Sequence, residues 1–237
     1  MKERVFSGHQ PNFLPYMGVF YKIFKSDEFI WDDDVQFTTS EYKNDGVRVG
    51  HNANAIRVAD SKSQILVPVK MKFGDRINEV RICRERNWED KMLRTLSMNY
   101  GKCPHFGEGF DLLEKAFSMR FEMLSDLNLF LLSEICEKFG FDAKIHISSK
   151  EMPTELSKNE RNAFQCERLG CSVYYSGTGG KGYNDEALFA GKGIRIEYSD
   201  FAPEPYRQYR KKWFMPNLSV IDYIFNNGYE IPSGWSK

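Results

Sequence analysis

The sequence predicts an α/β protein, a mostly parallel sheet flanked by helices, with a central helical block inserted between two α/β portions. Three observations carry that expectation. Short apolar runs break off in polar clusters, first at Val5-Phe6-Ser7-Gly8-His9 and again at Phe29-Ile30-Trp31 before Asp32-Asp33-Asp34. An amphipathic stretch joins those runs, which makes a β-α-β unit with parallel strands and a right-handed crossover. From about residue 88 to 140 the apolar positions recur at helical spacing with no strand between them. A chain of 237 residues is long enough for a full core, and we expect one domain over 1–237 that contains this block.

The elements follow in order. Residues 4 to 9 read as a buried strand, and Asn12 with Pro15 signals the start of a helix from about Pro15 to Ser26. On it Met17, Phe20, Tyr21 and Phe24 share one face. Glu28 to Asp34 is the second strand. Thr38 to Ser63 is polar and aperiodic, so it reads as a substrate loop or a hairpin excursion. Ile65 to Val69 and Ile77 to Ile82 read as strands around a Phe73-Gly74-Asp75 turn, with Pro68 marking an edge or the end of pairing. Helices are expected over Trp88 to Tyr100, Phe106 to Met119 and Phe121 to Phe139, the last stopped by Gly140. The α/β rhythm then resumes. Strands are expected at Ala143 to Ile147, Ser172 to Tyr175 and Ile194 to Tyr198, and helices at Ser149 to Leu169, Asp185 to Ala190 and Leu218 to Phe225. No internal repeat or low-complexity tract is present.

Composition narrows the function classes. Lys plus Arg equals Asp plus Glu at 33 each, so there is no basic footprint for a nucleic acid. The five cysteines form no C-x-x-C pair and no signal peptide opens the chain, which leads us to expect a reduced, cytoplasmic protein with no metal held by cysteine. The longest apolar segment, near Leu127 to Ile135, is interrupted by Asn128, Ser133 and Glu134. It falls far short of the roughly 20 residues that span a bilayer.

If the two opening strands are parallel neighbours, their polar ends share the crevice where open α/β sheets bind ligands. His9, Gln10 and Asn12 then meet Asp33, Asp34 and Gln36. His9 is the natural proton acceptor at neutral pH. A carboxylate of Asp33 or Asp34 could orient it, bind a substrate amine or hydroxyl, or hold Mg²⁺ with phosphate oxygens. Side chains alternate along a strand, so Asp32 and Asp34 face one way and Asp33 the other unless the strand has ended. The bland alternative is a solvated turn.

Gly177-Thr178-Gly179-Gly180-Lys181-Gly182 matches G-x-G-x-x-G after an expected strand, with Glu197 and Asp200 lying 15 and 18 residues further on. The helix that follows is too short for a dinucleotide fingerprint, and the unit lies late in the chain. A phosphate P-loop fails as well, because Tyr175 occupies the first glycine position and Gly182 follows the lysine. What remains is a loop whose N–H groups and Lys181 suit an anion. A Cys–His pair of Cys103 or Cys171 with His9 stays open.

Several blocks together resemble a known family. They are His9-Gln10-Pro11-Asn12-Phe13-Leu14-Pro15, Asp33-Asp34-Val35-Gln36-Phe37, Leu66-Val67-Pro68-Val69, Tyr175-Ser176-Gly177, Pro205-Tyr206-Arg207-Gln208, and Leu218-Ser219 with Asp222 and Phe225-Asn226-Asn227-Gly228. In that order the chain resembles the WbqC-like family of bacterial proteins from about Gly8 to Gly228. The resemblance implies a place in cell-surface polysaccharide or O-antigen biosynthesis, hence glycoconjugate chemistry. One departure stands out: the Asn-Arg pair usual after the Asp-Asp-Val-Gln-Phe block is replaced by His51-Asn52-Ala53-Asn54-Ala55-Ile56-Arg57, and Gln64 stands near an expected tryptophan. If that arginine binds substrate, Arg48 or Arg57 replaces it, or this member handles a different substrate. The opening unit also resembles, at fold level only, nucleotidyltransferase-type α/β proteins in which a histidine after the first strand meets ATP phosphates.

The expected function is therefore a cytoplasmic transferase that adds an acyl or aminoacyl group to an amino sugar or nucleotide-linked sugar. His9 is its general base, Asp33 or Asp34 orient it or hold the acceptor amine, and Lys181 with Ser176 and Gly177 takes a phosphate. Gln10, Asn12, Gln36, Tyr206, Gln208 and Asn226 supply hydrogen bonds. The partners are a small sugar or nucleotide-sugar and, for acyl transfer, an acyl carrier; the cofactor stays open between none, a nucleotide and Mg²⁺. The competing expectation is a non-catalytic sugar- or nucleotide-sugar-binding or assembly protein. Acyl transfer through Cys103 or Cys171 is a third. Oligomeric state is not readable from the sequence.

Overall fold

The computed structural model describes residues 3–38, 42–44, 46–156, 158–209 and 212–236. Strand β1 is Val5–His9, helix α1 is Met17–Phe24 and strand β2 is Glu28–Trp31. The two strands are parallel, with His9 beside Trp31 and Phe6 beside Glu28. The expected second strand thus stops before its aspartates. Asp33 N–H instead bonds the Trp31 carbonyl at 3.1 Å, a turn that ends the pairing.

The polar excursion that follows is built of hairpins. Tyr42–Asn44 (β3) pairs antiparallel with Val47–Val49 (β4), and Ala53–Val58 (β5) with Ser61–Leu66 (β6). Residues 39–41 and 45, within the expected irregular stretch, lie outside the described residues. Pro68 separates β6 from a two-residue strand β7, Val69–Lys70, which pairs with β8, Arg81–Ile82. The strand expected over Ile77 to Ile82 is mostly absent. Ile77–Glu79 is a 3-10 turn instead, because Glu79 folds back to accept from the Arg76 N–H at 2.8 Å and so closes a turn against the alternation of side chains.

The helical block consists of α2 (Trp88–Tyr100), α3 (Phe106–Ser118) and α4 (Leu124–Phe139). On α4 the stripe Leu124, Leu127, Leu131, Ile135 and Phe139 is buried, and Gly140 closes the helix at φ +67°, where a left-handed residue satisfies the last carbonyls. Strand β9 is Lys144–Ile147. The single helix expected from Ser149 to Leu169 is two, α5 (Ser148–Glu151) and α6 (Lys158–Arg168). Pro153 lies between them, and a proline both lacks the N–H of a continuing helix and pushes its predecessor toward extended backbone; Met152 has ψ +53°. Then come β10 (Val173–Ser176), α7 (Glu186–Gly191), β11 (Arg195–Tyr198) and α8 (Val220–Asn227), with Ser219 capping α8.

Five strands form one all-parallel sheet in the order β11-β10-β1-β2-β9. Its two faces have separate cores. Phe29 and Trp31 face Phe20 and Ile23 of α1 and the leucines of α4, continuous with α2, α3 and α8. Phe6, Ile30 and Tyr174 face Ala163 and Cys166 of α6 and Phe189 of α7. From β1 the chain moves first to β2 and β9 on one side, then returns to β10 and β11 on the other. The order therefore reverses between β1 and β10.

Candidate functional site

A parallel sheet binds its ligand outside the carboxyl ends of the strands where the order reverses, because the two connections leave in opposite directions and open a crevice. Here that point lies between His9, the last residue of β1, and Ser176, the last of β10. The two strands are also tied by a bond from Ser7 Oγ to the Tyr175 carbonyl at 2.7 Å.

His9 is half-buried. Its Nδ1 lies 2.7 Å from the Gln10 carbonyl oxygen. A carbonyl only accepts, so Nδ1 carries the proton and the lone pair of the neutral ring is on Nε2. Gln10 is fixed in turn by a residue we did not anticipate. The Thr38 N–H donates to Nδ1 of the fully buried His51 at 3.2 Å, which leaves His51 Nε2–H to donate to Gln10 Oε1 at 2.7 Å. The sequence signal for His51 is its place in a polar run within the excursion. Asn12 is half-buried, and its Oδ1 is enclosed with no hydrogen-bond partner among the described residues. A buried acceptor left unpaired in this way suits a ligand donor.

On the β10 side, Ser176 is buried and accepts from Asn184 Nδ2 at 3.0 Å. Gly177 leads into a 3-10 turn, Thr178–Gly182, that carries the glycines. Gly180 is required for close approach: a Cβ there would sit 2.2 Å from Ser176 Oγ and 2.8 Å from Asn184 Nδ2. Gly177, Gly179 and Gly182 face open space. Lys181 is exposed, its ammonium 5.6 Å from the centre of the Tyr198 ring.

The three aspartates are all buried and turn toward β9, α5 and α6. Asp33 accepts from Ser148 Oγ at 3.1 Å, Ser149 N–H at 3.0 Å and Ser149 Oγ at 2.7 Å. Asp34 accepts from Ser148 Oγ and Arg161 Nη2, and Asp32 from Arg161 Nε at 3.0 Å and Gln165 Nε2 at 2.7 Å. Burial raises the Asp32 pKa, against the pull of Gln165 and Arg161. Arg161 was not anticipated; nothing in the sequence connects it with positions so far away. Another unanticipated group is Lys22, buried on α1, whose Nζ donates to the Gly8 carbonyl at 2.6 Å. Burial lowers its pKa to about 8, partly offset by Asp32.

The remaining expected residues lie elsewhere. Gln36 is exposed and bridges to Arg76. Tyr206 and Gln208 join a buried network on Asp222, with Tyr206 Oη donating to Asp222 Oδ2 at 2.6 Å, Gln208 Nε2 donating to the same oxygen at 3.1 Å, and Tyr100 Oη to Oδ1 at 2.8 Å. Arg57 belongs to it too, donating to Gln208 Oε1 at 2.6 Å. Asn226 accepts from the Tyr209 N–H at 2.6 Å and donates to the Asp222 carbonyl at 2.7 Å. Arg48, by contrast, lines a cavity of about 270 Å³ beside Asn52, Gln64 and Cys83. Burial pushes the Cys171 thiol up to about 11. Few of these thiols ionise at neutral pH, which counts against Cys171 as a nucleophile.

Fold and crevice together define an α/β protein with a polar centre at the reversal point of a parallel sheet. The chain belongs to the WbqC-like protein family, whose model matches residues 10–233. It is 32% identical over 228 residues to the uncharacterized protein Rv1507c of Mycobacterium tuberculosis (strain ATCC 25618 / H37Rv), covering 94% of each chain. No solved structure matches it. Among the described residues no helix is long and apolar enough to cross a membrane.

Proposed function

We propose that the protein is a cytoplasmic transferase of bacterial cell-surface polysaccharide or glycoconjugate biosynthesis, moving an acyl or aminoacyl group to an amino sugar or a nucleotide-linked sugar. The observation that carries this reading is the orientation of His9 at the reversal point, with Nδ1–H held by the Gln10 carbonyl and the lone pair on Nε2. In the reaction Nε2 takes a proton from the acceptor amine or hydroxyl as that group attacks the acyl carbon, and returns it to the leaving group. Gln10 and Asn12 bind the acceptor, and the N–H groups after Ser176 and Gly177, with Lys181, hold a phosphate of the nucleotide. Asp33 and Asp34 act as positioning groups: they fix the end of β2 through Ser148, Ser149 and Arg161 and so set the wall beside β1.

The geometry of the aspartates favours a second reading, a non-catalytic binder of nucleotide-sugars. Their carboxylates are engaged by Arg161 and the two serines, and a backbone carbonyl, that of Gln10, meets His9 Nδ1. Turnover separates the two. With a sugar nucleotide and an acyl donor supplied together, His9→Ala is expected to lower kcat at least ~100-fold with an unchanged melting temperature. Full activity in His9→Ala would remove the general-base role, and tight binding with no turnover in the native protein would leave the binding reading.

A further inference from the structure

A cleft of about 270 Å³ has none of the glycine-turn residues among its lining. Its walls come from residues that follow the sheet's carboxyl ends: Tyr16 precedes α1 after the β1 loop, and Phe201 lies just beyond β11. Six rings line it, those of Tyr16, Phe201, Tyr206, Phe214, Tyr223 and Trp235. The rings are held in place by one another and by the buried network. Tyr16 and Phe201 meet edge to face at 5.8 Å, Tyr206 meets Phe214 and Tyr223 edge to face at 5.1 Å, and Tyr206 Oη is bound by Asp222.

Among the described residues the charge lining this cleft is of one sign. Glu204 and Glu230 line it, exposed, and none of its described lining residues is a lysine or arginine. Neither carboxylate has a cationic partner among the described residues, so their field acts on whatever enters. Aromatic faces stack on the C–H faces of rings and attract cations, most strongly when the cation is partly desolvated. Asn217, Asn227 and Ser233 add neutral hydrogen-bonding groups. A phosphate would meet two carboxylates here and no counter-charge among the described lining residues, which favours a cationic over an anionic ligand. The volume suits one or two sugar rings.

We propose that this cleft is a binding site for a saccharide ring bearing a protonated amine, its C–H face on the aromatic walls and its ammonium between Glu204 and Glu230. The site stands independently of the transferase reading, because binding here requires no turnover. If that reading also holds, the cleft is a second saccharide site, separate from the His9 centre where Gln10 and Asn12 bind the acceptor.

The test uses three uncharged or cationic probes of one shape, glucosamine, N-acetylglucosamine and glucose, titrated into the full chain near pH 6.5 with Trp235 emission and ligand-observed NMR as readouts. Glucosamine is expected to bind at least tenfold more tightly than either neutral sugar. The double variant Glu204→Gln/Glu230→Gln, at exposed positions that leave the melting temperature unchanged, should abolish that preference while keeping residual binding of all three. Equal affinities for the three sugars in the native protein, or a preference that survives in the double variant, would overturn the proposal. Loss of activity in His9→Ala bears only on the other site.

Discussion

Two buried cations make opposite demands on the fold. Arg161 bonds both Asp32 and Asp34 inside the α6 face. Removing it leaves two enclosed carboxylates without their hydrogen-bonded counter-charge, and Arg161→Ala is expected to cost about 3–5 kcal/mol in urea unfolding. A change below about 1 kcal/mol would mean that water reaches those carboxylates. Lys22 has no such partner in bonding range among the described residues, and its burial lowers its pKa to about 8 against 10.5 for an exposed lysine. Below pH 8 both folded and unfolded chains hold its proton, so the full cost of burying the charge persists. Between 8 and 10.5 only the unfolded chain holds it, and stability rises with pH. The native protein should therefore gain on the order of 3 kcal/mol over that window relative to Lys22→Met. Superimposable pH profiles for the two proteins would show that Lys22 titrates normally.

At the scale of elements, the turn after β10 depends on one missing side chain. Gly180→Ala drives a methyl into Ser176 Oγ and Asn184, and the 3-10 turn must lift away from the end of β10. We expect a modest loss of stability, about 1–2 kcal/mol, with at least tenfold weaker binding of a nucleotide-sugar by calorimetry. Unchanged affinity would place the phosphate elsewhere. This turn also marks how far the sequence could be read. The opening strands, the α4 stripe and the glycine stop at Gly140 were legible because each depends on local spacing or on a left-handed residue. Ile77–Glu79 misled because an alternating pattern says nothing of a side chain that bends back on its own backbone. The split between α5 and α6 falls at Pro153, a helix breaker inside the stretch expected as one helix. At the candidate site His9 and the glycine turn were legible from where the strands end. The partners of the aspartates were not: Arg161 reaches Asp32 and Asp34 only because β9 carries the chain back beside β2. For the same reason Tyr206, Gln208 and Asn226 read as site residues while the fold gathers them around Asp222.

For the whole molecule, the sheet order does the organising. Reversal between β1 and β10 brings together segments far apart in sequence, and places a histidine with a defined tautomer opposite a glycine turn with an exposed lysine. The same strand ends feed a second, acidic and aromatic cleft. A polar centre with an exposed lysine and a separate acidic cleft can hold an anionic and a cationic ligand at once without competition between them. The central claim is that the polar centre at the reversal point receives the nucleotide-bearing ligand. Amide chemical-shift mapping on the isotope-labelled full chain, titrated in turn with uridine, guanosine and thymidine diphosphate sugars, tests it most directly. At least one of them should shift the amides of His9, Gln10 and Asn12 together with those from Ser176 to Gly182, leaving the Trp235 indole unmoved. Shifts confined to other regions, or none at either strand end with any of the three, would contradict the account.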